Sequence, residues 1–388
     1  PLTLLGDESG LPYDRPPLSK HLLAGSWEPD RVALTTPDRL VELSVTHLPA
    51  TAASAVDPVT RTVLTRTTDG VAAGPVRELD FDTLVVATGS RARHLPGTDG
   101  VAGVHTVRAL PDALRLRDQL TADRKVVVLG GGFLGAEIAA VAAGLQAEVT
   151  VISRGDPLRR AIGEVFAAEL ALVHRDAGVR WVHTDNITAL DLSDPDRPTV
   201  HLGDDRRIDG DVLVVAIGAD PVVDWLAGTG LDLTDGVRCD AALRAAPGIF
   251  AVGDVARFPQ RDSGIAARVE HRMNAGESAS VVAANAMGDA LVHDSIAFWW
   301  SDQFTVRLQG YGSSSPSLHL WHGHPQDRRA VALFSRSGTV CGAIGWNSAK
   351  KLREARALIA AGAPLEDAGP TVPLTDAALP LRAAVLRG

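Results

Sequence analysis

The sequence predicts an α/β architecture, two Rossmann-like units followed by a C-terminal α+β segment, and three observations carry that expectation. Residues 81–90 (FDTLVVATGS) and 210–219 (GDVLVVAIGA) echo one another: an Asp, a continuous apolar run of strand length, and a glycine where the run ends. Between the echoes, Val126-Val127-Val128-Leu129 leads into Gly130-Gly131-Gly132-Phe133-Leu134-Gly135 and a helix pattern beginning near Ala136. Beyond Ala297 the character changes. Trp299, Trp300, Phe304, Leu308 and Leu320 fall in alternating segments that suggest an antiparallel sheet.

The elements follow in order. Pro1-Leu2-Thr3-Leu4-Leu5 reads as a strand. The Val/Leu runs of the two echoes suit strands buried on both faces of an α/β layer, and their shared order points to two related nucleotide-binding units. Residues 125–154 supply strand, glycine turn, helix and second strand. Gly248-Ile249-Phe250-Ala251-Val252-Gly253-Asp254 is a short strand closing on an acid, and an alanine-rich helix follows over about 271–287. A basic helix over 348–361 is stopped by Gly362-Ala363-Pro364.

Composition narrows the function classes. At ~150 residues per domain, 388 residues give two or three domains, and 45% hydrophobic with 22% charged residues is ordinary globular composition. The two cysteines, Cys239 and Cys341, lie far apart, which excludes a disulfide-rich scaffold and a cysteine zinc site and fits a reducing cytoplasm. The net charge of −9 argues against whole-surface attraction to nucleic acid. The start lacks the basic and apolar regions of a secretory signal, and the longest weakly polar stretch, 126–152, carries glycines and two glutamates unsuited to a membrane helix.

The glycine run has G-x-G-x-x-G spacing between a strand and a helix. Gly130 permits the tight turn, Gly132 lets backbone approach a pyrophosphate, and Gly135 allows close helix–strand packing. The helix N-terminus then offers unpaired N–H groups and a positive dipole to the phosphates. The second strand ends in Ser153-Arg154, where an acid would bind the ribose hydroxyl of NAD and repel a 2′-phosphate. Ser153, Arg154 and the nearby Arg159 and Arg160 therefore lean the donor toward NADPH. The alternative is that these arginines are a solvated surface in an arginine-rich chain.

Several further segments stand in one order: Leu5-Gly6-Asp7-Glu8; Leu11-Pro12-Tyr13-Asp14-Arg15-Pro16-Pro17-Leu18-Ser19-Lys20; Ala87-Thr88-Gly89-Ser90; the fingerprint; Ala251-Val252-Gly253-Asp254; Glu270-His271; and Trp300-Ser301-Asp302-Gln303. The chain thereby resembles, over nearly its whole length, the FAD-dependent ferredoxin reductases of oxygenase systems. PPLSK and WSDQ are specific to that group; ATG and GD are shared by the wider two-dinucleotide flavoprotein superfamily. The resemblance implies a glutathione-reductase-like fold: an FAD domain split into 1–107 and 228–292 around an NAD(P) domain at 108–227, then an interface domain at 293–388. It also implies roles. Asp7 matches the acid on the FAD ribose, Arg15, Pro17 and Lys20 match residues at the flavin, and Ala53, Arg108, Thr88 and Gly89 match further FAD contacts. Gly253 and Asp254 match the ribityl site, with Glu270, His271 and Arg272 at the flavin and Trp300 beside its ring. Glu137 matches a carboxylate near the nicotinamide, and Gly218 closes the second echo on the NAD(P) side. Lys20, Glu137 and Trp300 are the expected catalytic set.

Elementary chemistry supports part of this. Lysine occurs only at Lys20, Lys125, Lys350 and Lys351, so Lys20 is not the chain's default cation. A compact ammonium suits a flavin edge or an ion pair with a buried carboxylate, the alternative being an exposed surface lysine. A helix starting near His271 would aim its dipole where a flavin gains negative charge. Asp254 has an alternative as a turn or cap residue, and Trp300 as a core aromatic. No cysteine lies between Glu8 and Lys20, so disulfide, persulfide and CoA-disulfide chemistry lack a nucleophile. The family's first strand and its own G-x-G-x-x-G are expected to be absent here, since Pro1–Leu5 resembles its second strand; truncation of a longer sequence is the expected reason. The expected reaction is hydride transfer from NAD(P)H to FAD, then single-electron transfer to a ferredoxin-type iron–sulfur protein. The rivals are an NAD(P)H oxidase or quinone-type reductase, and a flavin-free nucleotide-responsive binding module.

Overall fold

A computed structural model of the chain describes residues 1–68 and 76–374. The last residues of the expected interface domain, 375–388, lie outside the described residues. The chain forms two compact units. The first comprises Pro1–Arg15, Glu28–Arg91 and Asp220–Ser295; the second comprises Pro16–Trp27, Ala92–Ala219 and Ile296–Gly388.

The first unit is built from small sheets around one core. Leu2–Leu5 pairs in parallel with Val45–Leu48. Leu84–Val86, the strand of the first echo, pairs in parallel with Ile249–Ala251, which is antiparallel to Arg244–Ala246. Thr51–Asp57, Thr62–Thr67 and Arg77–Asp80 form an antiparallel meander. The inner faces of the latter two sheets meet in a cluster containing Val56, Val63, Val86, Leu243, Phe250 and Val255, to which Leu2–Leu5 and Val45–Leu48 contribute nothing. Helix Arg272–Ala286 contributes the fully buried Val282.

A five-stranded parallel sheet, in the order Arg180–His183, Glu148–Ser153, Lys125–Leu129, Val212–Val215, Val104–His105, forms the centre of the second unit. The chain leaves Lys125–Leu129 to one side and returns on the other with Val212–Val215. The crevice beyond the central strand's carboxyl end is thus a topological switch point, where α/β sheets bind ligands. Val126, Val128, Val212 and Val214 are fully buried, as their continuous apolar run requires. The first echo departs from that expectation: Val85 is 42% exposed, so its strand is covered on one face only.

The same unit carries a six-stranded antiparallel sheet, Phe298–Gln303, Val306–Gly312, Thr339–Trp346, Arg329–Arg336, Ser317–His324 and Val372–Pro373. Phe298–Gln303 alternates half-buried and buried residues, the period expected of such a strand. One face packs Trp346 against Phe166 of helix Arg159–Asp176; on the other, Leu352, Ala355 and Ile359 of helix Ala349–Ala361 meet Val331 and Leu333. Gly362, at φ 58°, caps that helix in the left-handed conformation. No helix among the described residues is long and apolar enough to cross a membrane.

Candidate functional site

The fingerprint turn joins Lys125–Leu129 to helix Phe133–Gly144, which begins three residues earlier than the pattern near Ala136 suggests, with Gly132 as its N-cap. Each glycine answers to a separate constraint. A Cβ on Gly130 would meet Ala216 O at 2.2 Å, and its φ is 114°. A Cβ on Gly135 would meet Gly130 O at 2.1 Å, so helix and strand touch backbone to backbone. At Gly132 a Cβ would meet nothing within 4 Å. That last glycine is exposed and faces open space beside an uncapped helix N-terminus, a cradle that a pyrophosphate fits. Phe133 packs edge-on against Trp299 at 5.0 Å and Leu134 is half-buried, which holds the helix start against the C-terminal sheet.

One turn into this helix, Glu137 is 4% exposed and is the hub of a buried polar cluster. Lys20 Nζ lies 2.6 Å from Oε2, and Ser19 Oγ donates to the same oxygen at 2.7 Å. Ser301 Oγ donates to Oε1 at 2.6 Å. Ser301 in turn accepts from Gln303 Nε2 at 2.9 Å, and Gln303 Oε1 lies 2.7 Å from His174 Nε2. Burial holds the His174 imidazole down at about 4, so the ring is neutral at physiological pH. Lys20 reaches Glu137 because Leu18, Leu22 and Leu23, all buried, pin the Pro16–Trp27 segment into the second unit. Pro17 is buried in the same segment, and Trp300, beside Ser301, is half-buried and stacks on Phe298 at 6.0 Å.

The sheet's second strand ends at Ser153, which is buried against the turn: a Cβ on Gly131 would touch its Cβ at 3.0 Å. The Ser153 hydroxyl donates to Gly155 O. Arg154 is exposed, and Arg159 pairs with Glu164 at 2.8 Å while its guanidinium lies over Gly155. Asp156 faces His183 Nε2 at 3.2 Å; this hydrogen bond raises the His183 imidazole above its usual range. Gly218 has φ 115° and accepts from Arg93 N at 2.9 Å. The Arg108 backbone N–H caps the following helix through Asp112.

The first unit gathers the remaining expected residues. Asp7 is exposed at the carboxyl end of Leu2–Leu5. Beyond it Arg15 Nη2 pairs with Glu8 Oε1 at 2.7 Å, and the Tyr13 hydroxyl donates to Glu8. Ala53 is half-buried on its strand. Thr88 Oγ1 donates to Val222 O at 2.7 Å, and Gly89, at φ 64°, accepts from Val222 N. Gly253, at φ 67°, donates to Ser278 Oγ, and Ser90 Oγ donates to Asp254 Oδ2 at 3.3 Å. Helix Arg272–Ala286 starts from His271 with no side-chain cap, leaving its first N–H groups open for an acceptor. Arg272 pairs with Asp14, and Glu270 with Arg268. Burial lowers the His271 imidazole, with the Asp254 charge opposing the shift.

Both cysteines are buried and neither is in a disulfide, and burial pushes the Cys239 thiol up to about 12, far from a reactive thiolate. Four residues of the polar cluster did not stand out as functional in the sequence. Ser19, Ser301 and Gln303 lie inside the PPLSK and WSDQ motifs, a usable signal; His174 carries none.

Residues 1–288 match the pyridine nucleotide-disulphide oxidoreductase family, and residues 298–385 match the reductase C-terminal family. The chain is 34% identical over 387 residues to the ferredoxin–NAD(+) reductase component of a p-cumate 2,3-dioxygenase system from Pseudomonas putida, covering 97% of this chain and 92% of that protein. It is 31% identical over 389 residues to a ferredoxin–NAD(P)(+) reductase from a Sphingomonas species, covering 98% and 90%. Among solved structures, the covalent putidaredoxin reductase–putidaredoxin complex superposes with a TM-score of 0.87 at 27% identity, covering 99% of this chain and 92% of that one.

Proposed function

The chain belongs to the pyridine nucleotide-disulphide oxidoreductase family, whose enzymes work with FAD and NAD(P)H, and from that premise we propose that it passes electrons from NAD(P)H through FAD to a ferredoxin-type iron–sulfur protein supplying an oxygenase. The observation that carries the reading is the buried Lys20–Glu137 pair one turn into the fingerprint helix, in a chain without a redox disulfide. Bound FAD would supply the chemistry that accepts a hydride and releases single electrons. The chain's own residues do the rest. Gly132 and the helix N-terminus bind the nucleotide's pyrophosphate. Glu137 and Lys20 orient the nicotinamide end, with Trp300 beside the flavin. Asp7, Arg15, Pro17, Ala53, Thr88, Gly89, Arg108, Gly253, Asp254, Glu270, His271 and Arg272 hold FAD. The proposed domain limits remain 1–107 with 228–292, 108–227 and 293–388, and the proposed setting is the cytoplasm.

With no acid at the end of Glu148–Ser153 and Arg154 exposed beside it, NADPH is proposed to serve at least as well as NADH. Ser153→Glu should shift preference toward NADH by roughly 1–3 kcal/mol, the scale of one charged contact. Steady-state kcat/KM with both donors checks it; an unchanged ratio would return Arg154 to the role of surface residue.

The partner is proposed to dock on the basic cluster Arg328, Arg329, Lys350, Lys351, Arg353 and Arg356, most of it on helix Ala349–Ala361. Lys350, Arg353 and Arg356 are exposed there in a chain of net charge −9. Lys351 is already spent: it pairs with Glu354 at 2.6 Å and lies 3.9 Å over the Trp321 ring. Arg328 likewise faces Asp176 at 3.6 Å. Reversing charge at Lys350 and Arg353 should slow ferredoxin-coupled cytochrome reduction about tenfold at low salt, chiefly through association. Reduction of a small neutral dye should be unchanged. Equal loss in both assays would place these residues in support of the fold instead.

A further inference from the structure

The polar cluster extends from Glu137 far beyond what binding a nucleotide requires. His174 is fully buried on helix Arg159–Asp176, with Trp181 and Phe304 packed perpendicular to it at ring-centroid separations of 5.4 and 5.1 Å. Ser301 and Gln303 alternate inward along Phe298–Gln303 and are 0% and 1% exposed. Three polar side chains thus run in line from Glu137 to the rings of Trp181 and Phe304, in the unit whose apolar cluster includes Phe166, Leu170 and Trp346. Burying such groups is costly unless each is satisfied, and apolar residues would pack there without that constraint.

The direction of every hydrogen bond in the line follows from its end. A carboxylate only accepts, so the single proton of the Ser301 hydroxyl goes to Glu137 Oε1. Ser301 must then accept, which turns the Gln303 amide nitrogen toward it and the amide oxygen toward His174. The imidazole must therefore carry its proton on Nε2. Nδ1, left as the bare nitrogen, faces no hydrogen-bond partner among the described residues. Reversing the line would set two acceptor oxygens, Ser301 Oγ and Glu137 Oε1, against each other at 2.6 Å.

We propose that His174 is a positioning residue for Glu137. Its Nε2–H tautomer locks the Gln303 amide, Gln303 locks the Ser301 hydroxyl, and Ser301 holds Oε1 while Lys20 and Ser19 hold Oε2. Both carboxylate oxygens are then immobilised, one from the C-terminal sheet and one from the Pro16–Trp27 segment. The functional half of this inference rests on the reading of Glu137 as a nicotinamide-site residue.

The test has two arms. In the first, nitrogen NMR of the histidine-labelled protein, with the His174 signal assigned by its loss in His174→Gln, reads the tautomer directly. The neutral Nε2–H form is expected to persist from pH 8 to pH 5, and Ser301→Ala is expected to admit the Nδ1–H form. A ring that titrates near 6.5, sits in the Nδ1–H form, or ignores Ser301→Ala overturns the proposal. In the second arm, rapid-mixing reduction of bound FAD by NAD(P)H compares His174→Phe, which lacks a donor, with His174→Gln, which keeps one. The phenylalanine variant is expected to lower the limiting rate roughly tenfold at an unchanged half-saturating nucleotide concentration, as a misplaced catalytic group does, and the glutamine variant to retain most of the rate. Equal rates in both variants would reduce His174 to a core residue and overturn the proposal. If wild-type protein shows no reduction by either nucleotide, the functional reading fails, while the tautomer arm still decides the positioning line.

Discussion

Lys20→Met is expected to cost the protein about 3 kcal/mol or more of stability, the scale for removing one partner of a buried ion pair. Glu137 is the reason. Its side chain is 5% exposed and that of the half-buried Lys20 13%, so water reaches the carboxylate poorly when the ammonium is gone. Ser19 and Ser301 would still donate to the carboxylate, but two neutral hydroxyls do not balance a buried charge. Glu137→Gln alone should also destabilise, because the ammonium then loses its counter-charge. The double variant Lys20→Met/Glu137→Gln should recover much of the loss, since no charge is left unpaired. Denaturant unfolding of the four proteins gives the coupling energy directly. Additive losses with no recovery would show that Lys20 and Glu137 contribute independently.

The second large effect separates two glycines three residues apart. Gly135→Ala places a methyl group 2.1 Å from the Gly130 carbonyl oxygen, a backbone atom that cannot swing aside. The helix must move away from the strand, at a cost of at least about 1–3 kcal/mol for overpacking. Gly132→Ala meets nothing within 4 Å and should leave stability within about 0.5 kcal/mol of wild type. Its methyl group would instead occupy the space through which a pyrophosphate approaches the helix N-terminus. Nucleotide affinity should fall at least roughly tenfold, or about 1.4 kcal/mol. Thermal melts and calorimetric titration with NADH and NADPH of both variants make the comparison. A Gly132→Ala protein that binds normally would move the phosphate site away from this turn.

The strand–turn–helix of the fingerprint was legible because steric rules act locally: the glycine spacing encodes a turn, an open approach and a backbone contact within six residues. The alternation along Phe298–Gln303 and the cap at Gly362 were legible for the same reason. The pairing of Lys20 with Glu137 is not legible: a lone lysine suits a flavin edge or an ion pair with some buried carboxylate, but nothing in the spacing of residues 117 apart names Glu137 as that partner. His174 was illegible. It lies on an amphipathic helix among apolar neighbours, and its role depends on a glutamine 129 positions away. The burial of Val85 was overestimated because the first echo's run matches the second, while the cover over a strand depends on packing that the run itself does not encode.

The most direct test of the whole account is an anaerobic titration of the purified, FAD-loaded protein with NAD(P)H, followed by oxidised [2Fe–2S] ferredoxin. One equivalent of nucleotide is expected to bleach the visible flavin bands and two equivalents of ferredoxin to restore them, each taking one electron. Flavin that stays oxidised under excess NADH and NADPH, or flavin that is reduced but passes electrons to quinones and oxygen while leaving ferredoxin oxidised, would contradict it.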